Sequence, residues 1–148
     1  MLKRILAFVV AVLGGYVFAV LAYSQLNLSN LADMGVAVGF SDRFGTFAHD
    51  VLSMTSMYLP IMTVALLIAF LFAALVLRWV PHLRMLGYVL AGTVGMLAVI
   101  LFFKVAMGTH PIAVTRTLVG LVSQGLAGAL AGLVYVRVTQ RLSRASAS

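Results

Sequence analysis

An all-α integral membrane bundle of four transmembrane helices, with an amphipathic segment in its outer loop, is the fold this sequence predicts. Three observations lead there. Hydrophobic residues make up 64% of the 148-residue chain and charged residues 9%, against about a quarter charged in ordinary globular proteins. The few charges fall between long apolar stretches rather than inside them. Within the stretches, runs such as Leu66-Leu67-Ile68-Ala69-Phe70-Leu71-Phe72 and Met96-Leu97-Ala98-Val99-Ile100-Leu101 are apolar on every face, unlike the alternating strands of a membrane barrel. A soluble domain this small needs more polar surface than ten basic and three acidic residues supply. The chain has no cysteine, which excludes disulfides, thiolate metal sites and thiol nucleophiles.

The charges delimit the spans. Uncharged stretches lie between Arg4 and Asp33, with their apolar part from Ile5 to Tyr23, and between Asp50 and Arg78, Arg84 and Lys104, and Arg116 and Arg137. Each holds about 20 apolar residues, which at about 1.5 Å per residue covers a hydrocarbon core of about 30 Å. Spans are expected over 5–23, 57–79, 85–106 and 112–136, within a single domain covering 1–148. The first stretch has a rival reading as a signal peptide, with Lys3 and Arg4 as its basic start and Val20-Leu21-Ala22 as a cleavage site. Its length, and small residues at every fourth position (Ala7, Ala11, Gly15, Ala19), favour a retained helix.

Prolines punctuate the same limits. Pro81 should end the second helix just after Trp79-Val80. Thr109 and Pro111 look like an N-cap and a first-turn proline opening the fourth. Pro60 should kink the second span or mark a change between an upstream helix and the membrane span. The basic, Ser- and Ala-rich tail over 138–148 is expected to fray.

Orientation follows from the basic residues. With the N-terminus inside, Lys3, Arg4, Arg78, Arg84, Arg137, Arg141 and Arg144 face the cytoplasm, against Arg43, Lys104 and Arg116 outside. That asymmetry obeys the positive-inside rule and puts both termini in the cytoplasm. The compact size and short loops fit a multi-pass protein of a bacterial inner membrane. The net charge of +7 therefore serves orientation and headgroup attraction. Basic residues scattered over helix ends do not form a nucleic-acid surface, so no nucleic-acid partner is expected.

The outer loop, 24–56, is long for so small a chain, and such loops usually carry structure or function. Phe44, Phe47, Val51 and Leu52 fall at helical spacing, with Asp42, His49, Asp50 and Ser53 mostly off that stripe. An amphipathic helix is expected from about Asp42, capped by Ser41. Residues 28–40 fit a short helix or a strand equally well.

Three features could carry function. The fourth span has a stripe of small residues, Gly120, Gly128 and Gly132, with Gln124 among them and Arg116 one step above. Gly87, Ala91 and Gly95 repeat it in the third span, Ala65, Ala69 and Ala73 in the second, and Ala7, Ala11 and Gly15 in the first. Small residues let membrane helices approach closely. The plain reading is a tightly packed bundle; the functional one is an oligomer seam, or a polar path past Gln124 and Ser123. The second feature is Lys104 and Arg116, basic residues against the usual bias. They either snorkel to headgroups or pair with Asp50, Asp33 or Asp42, forming an ion-pair or anion-binding cluster. The third is His49-Asp50 with His110, a conceivable metal site. Adjacent helical residues diverge by about 100° and no paired-histidine spacing is present, so neither metal nor cofactor is expected.

The interior polar groups Ser123, Thr63, Thr93 and Gln124 have no base in their own segments, and enzymatic activity is not expected. The leading functional reading is a non-catalytic accessory or scaffold subunit. It would pack through its small-residue faces, as a homo-oligomer or within a larger membrane complex, with the lipid bilayer as its solvent. The alternative is a small oligomeric transporter or channel, for anions, using Arg116, Lys104 and Gln124.

Overall fold

The computed structural model describes residues 2–33, 39, 45, 48–49, 51–52, 55–56, 58–107 and 117–145. They form four long helices: α1 (Leu2–Asp33), α2 (Tyr58–Val76), α3 (Arg84–Met107) and α4 (Leu118–Arg144), with a 3-10 turn at Pro81–Leu83 leading into α3. No strand occurs among the described residues. All four helices are long and apolar enough to cross a membrane. In hydrocarbon a helix satisfies every backbone group internally, so the apolar stretches between the charges become helices whatever their side-chain periodicity.

The chain runs up, down, up and down. Gly95 meets Ala69 and Gly87 meets Leu77, which sets α2 antiparallel to α3. Gly92 meets Gly128 and Gly132 meets Tyr88, which sets α3 antiparallel to α4. Contact is most extensive between α3 and α4 and between α1 and α4; of the four neighbouring pairs, α1 and α2 touch least. Lys3, Arg4, Arg78, Arg84, Arg137, Arg141 and Arg144 consequently share one end of the bundle, called the basic end below.

Large aliphatic and aromatic residues point outward, including Leu13, Leu71, Phe72, Val94 and Leu126. The interior holds small residues such as Ala7, Ala11, Ala127 and Ala131, around a few large ones, Met62, Leu66, Met96 and Ile100. A protein folded in water would sort these classes the other way. Between membrane helices no hydrophobic force acts, and small side chains gain dispersion contact by letting the backbones close up.

Helix limits differ from the expected spans at several points. The polar run from Ser24 to Asp33 is helical rather than loop. Nothing in it breaks a helix, and Tyr16, Val20, Ser24 and Leu28 continue one buried row at four-residue steps. At the other terminus, α4 continues through Arg144 where a frayed tail was expected from 138. Thr139 there is buried and donates its hydroxyl to the Tyr135 carbonyl at 2.6 Å. Pro60 lies in the first turn of α2, where its missing N–H costs nothing, so it marks the helix start rather than a kink. Pro81 opens the 3-10 turn after α2 has ended at Val76. The described α4 is capped by Thr117, whose side chain accepts from the Gly120 amide at 3.1 Å; Thr109 and Pro111 lie outside the described residues.

The closest approach in the bundle is backbone to backbone. A Cβ on Gly92 would overlap the carbonyl of Gly128, one on Gly128 would overlap that of Gly92, and one on Gly132 that of Tyr88. Gly92→Val or Gly128→Val is thus expected to cost on the order of 2 kcal/mol or more. Gly14→Ala, whose Cβ would meet Val134 at 3.9 Å, serves as the tolerated control. Thermal unfolding in micelles, followed by size-exclusion of the surviving fraction, measures both; unchanged midpoints for the valine variants would contradict the contact.

Candidate functional site

Two layers of polar and aromatic side chains cross the bundle. The inner one is built around Gln124 of α4, buried at 1% exposure. The Tyr58 hydroxyl of α2 donates to Gln124 Oε1, and Gln124 Nε2 donates to the Ala19 carbonyl of α1 at 3.3 Å. One amide therefore ties three helices together. Alongside, Tyr16 packs near Tyr58 with ring centroids 6.1 Å apart. Its hydroxyl donates to the Val51 carbonyl at 2.6 Å, holding the segment that precedes α2 against α1.

Three further hydroxyls bond within their own helices. Ser123 donates to the Gly120 carbonyl at 2.7 Å, Thr63 to Leu59 at 2.7 Å and Thr93 to Val89 at 3.0 Å. No buried side-chain nitrogen or oxygen among the described residues lacks a partner. Ser123 and Gln124, singled out as a polar interior, sit together on α4 as hydrogen-bonded packing groups.

The small-residue rows divide their work in a way the spacing alone did not reveal. Gly128 and Gly132 face α3, and Gly15 faces Met62, Ala127 and Ala131. Ala7 and Ala11 are fully buried. Gly120 serves at the α4 cap, giving its amide to Thr117 and its carbonyl to Ser123. In α3 the residue that meets α4 is Gly92, one register away from the row Gly87, Ala91 and Gly95. Gly87 and Gly95 of that row face α2 instead. The buried row Tyr88, Gly92, Met96, Ile100 recurs every four residues and is the signal that would have found it.

Of the cluster Lys104, Arg116 and Asp50, Lys104 is exposed near the end of α3 away from the basic end; Arg116 and Asp50 lie outside the described residues. His49 is exposed, and His110 also lies outside them. Among the described residues no group of three or more His, Cys, Asp or Glu could hold a metal.

The second layer lies toward the basic end and takes one ring from each helix. Phe70 of α2 meets Phe8 of α1 edge-on at 6.0 Å, Tyr88 of α3 edge-on at 5.5 Å and Tyr135 of α4 at 5.0 Å. Tyr88 and Tyr135 are 4.8 Å apart. Edge-on and tilted arrangements at these distances suit aromatic quadrupoles. These rings form the floor of a cleft of about 830 Å³ that opens toward the basic end, where Arg4, Arg78 and Arg84 line it. A second hollow, about 620 Å³ and almost wholly apolar, runs along the outer side of the α2–α3 seam. Ala69, Ala73, Gly87 and Ala91 lie along it, with Phe72 and Phe102 as walls.

The Gln124 bridge has a measurable value. Tyr58→Phe and Gln124→Leu are each expected to destabilise the bundle by about 1 kcal/mol, as interhelical hydrogen bonds in membranes do. The double variant should lose less than the two losses added, because both remove one interaction. Unfolding from bicelles by SDS tests this; strict additivity would mean the two side chains are not coupled.

No family model, curated protein or solved structure matches the chain.

Proposed function

We propose that this chain is a non-catalytic accessory subunit that packs laterally against a partner transmembrane helix through the hollow on the α2–α3 seam. The observation carrying this reading is the contrast between the small-residue rows. Those of α1 and α4 are used up inside the bundle. The α2–α3 row also leaves an open furrow of about 620 Å³ on the lipid-facing side. Small residues at a furrow floor with large apolar walls are the arrangement by which one membrane helix receives another. The hydroxyls of Thr63, Thr93 and Ser123 and the Gln124 amide are engaged in holding the helices, which supports reading them as packing groups. The alternative, an anion pathway through Arg116, Lys104 and Gln124, draws less support. Gln124 has both ends of its amide engaged in joining helices.

In this proposal the protein lies in a bacterial inner membrane with the basic end in the cytoplasm. The support is the gathering of Lys3, Arg4, Arg78, Arg84, Arg137, Arg141 and Arg144 at that end, since basic residues are retained on the cytoplasmic side.

The chain has no cysteine of its own, so single cysteines report cleanly. Ile68→Cys and Val94→Cys, both on exposed positions lining the furrow, should crosslink in cells to one defined membrane protein. Val9→Cys, on the exposed face of α1, should not. Equal patterns from the three positions would defeat the docking reading. Cysteines placed in the tail after Arg144 should resist impermeant thiol reagents in intact cells, and ready labelling there would reverse the orientation.

A further inference from the structure

We infer that the cleft between α1 and α2 at the basic end seats the phosphate of an anionic phospholipid headgroup, with the lipid chains running down its apolar wall. The site does not depend on the helix-docking furrow, which lies on the α2–α3 side.

Three guanidinium groups converge on this cleft from three elements: Arg4 from the first turn of α1, Arg78 from the turn after α2 and Arg84 from the first residue of α3. Among the described residues the one acid is Asp33, at the last position of α1. A helix of 32 residues is about 48 Å long at about 1.5 Å per residue, so Asp33 stands a membrane thickness away from Arg4. Three like charges around one hollow repel one another until an anion sits between them, and a guanidinium matches phosphate geometry with two donors at once.

Helix polarity adds to this. Both α1 and α3 begin at this end, and neither has an acidic residue in its first turn. The 3-10 turn that precedes α3 has no side-chain cap. The positive poles of two helices thus face the same side as the arginines. Tyr88 and Tyr135, at the floor, bring phenolic groups to the inner end of the cleft.

The walls indicate a lipid rather than a free ion. Ile5, Phe8, Leu67, Leu71 and Leu75 line the cleft below the arginines, and its volume of about 830 Å³ greatly exceeds a bare phosphate. The seam is also the one where two neighbouring helices touch least, so an acyl chain can enter sideways from the bilayer. Apolar wall, aromatic floor and basic rim follow the order of a phospholipid from chain to headgroup.

The full-length protein, stripped of lipid in a neutral detergent, can be titrated with phosphatidylglycerol, with phosphatidylcholine of the same chains, and with inorganic phosphate. Native mass spectrometry then counts what stays bound. Preferential retention of phosphatidylglycerol is expected, falling about fivefold for each of Arg4→Gln, Arg78→Gln and Arg84→Gln. Arg141→Gln and Arg144→Gln, basic residues of the same end that do not line the cleft, should leave retention unchanged. Leu71→Trp, which narrows the wall without touching a charge, should weaken lipid retention as well. Equal retention of the two lipids would overturn the inference. So would equal losses in the Arg141 and Arg144 variants, which would reduce the effect to general surface charge. Binding of inorganic phosphate that displaces the lipid and ignores Leu71→Trp would overturn the lipid assignment in favour of a free anion.

Discussion

The contact on which the bundle depends is the meeting of two backbones without side chains between them, Gly92 against Gly128, with Gly132 against Tyr88 one turn further on. Lipid competes equally for every apolar side chain, so helices in a membrane hold together by the closeness of their approach. Seating α4 this deeply on α3 has consequences elsewhere. It carries Gln124 into reach of Tyr58 and the Ala19 carbonyl, and it places Tyr135 against Phe70 and Tyr88. Because α4 also takes most of the contact of α1, little is left to join α1 to α2, and the cleft at the basic end opens along that thin seam.

The polar groups inside show how the bundle acquires a definite register. Apolar helices with smooth faces slide and rotate at little cost. A buried amide with partners on two other helices does not, because displacement would strand its donors and acceptors in hydrocarbon. Gln124 therefore fixes the heights of α1, α2 and α4 relative to one another, while the four-ring layer around Phe70 fixes their rotation nearer the basic end. Between the two layers lie Met62, Leu66 and Met96, flexible or branched side chains that fill what the small residues leave.

How much of this was legible in the sequence depended on how local the cause was. The existence of four spans was plain from the spacing of charges, since lipid penalises a charge wherever it falls along a helix. The ends of α1 and α4 were not, because a polar composition does not by itself stop a helix, and Ser24 to Asp33 and Val138 to Arg144 contain neither glycine nor proline. The packing rows are visible in the sequence, but the helix that each row of α3 meets is not. Gly87, Ala91 and Gly95 and the adjacent row through Gly92 have equal periodicity, and only the positions of α2 and α4 tell which row meets which helix. The arginines of the cleft are distant in the chain and show in the sequence only as orientation signals; their convergence is a product of the fold. Of the cluster Lys104, Asp50 and Arg116, the last two lie outside the described residues.

The extent of contact between α1 and α4 bears on how the protein is made. Ribosomal synthesis delivers the first helix long before the last, and α1 meets its immediate successor only sparsely. A nascent hairpin of the first two spans keeps the Phe8–Phe70 and Tyr16–Tyr58 ring contacts but lacks Gln124 and Tyr135, which complete the two layers. The early spans must therefore wait in the bilayer, or beside an insertion factor, until the fourth arrives to close the ring. Contacts that join the extremes of a chain form slowly for the same entropic reason in any solvent. Truncation during translation would leave loosely associated helices for quality-control proteases to remove.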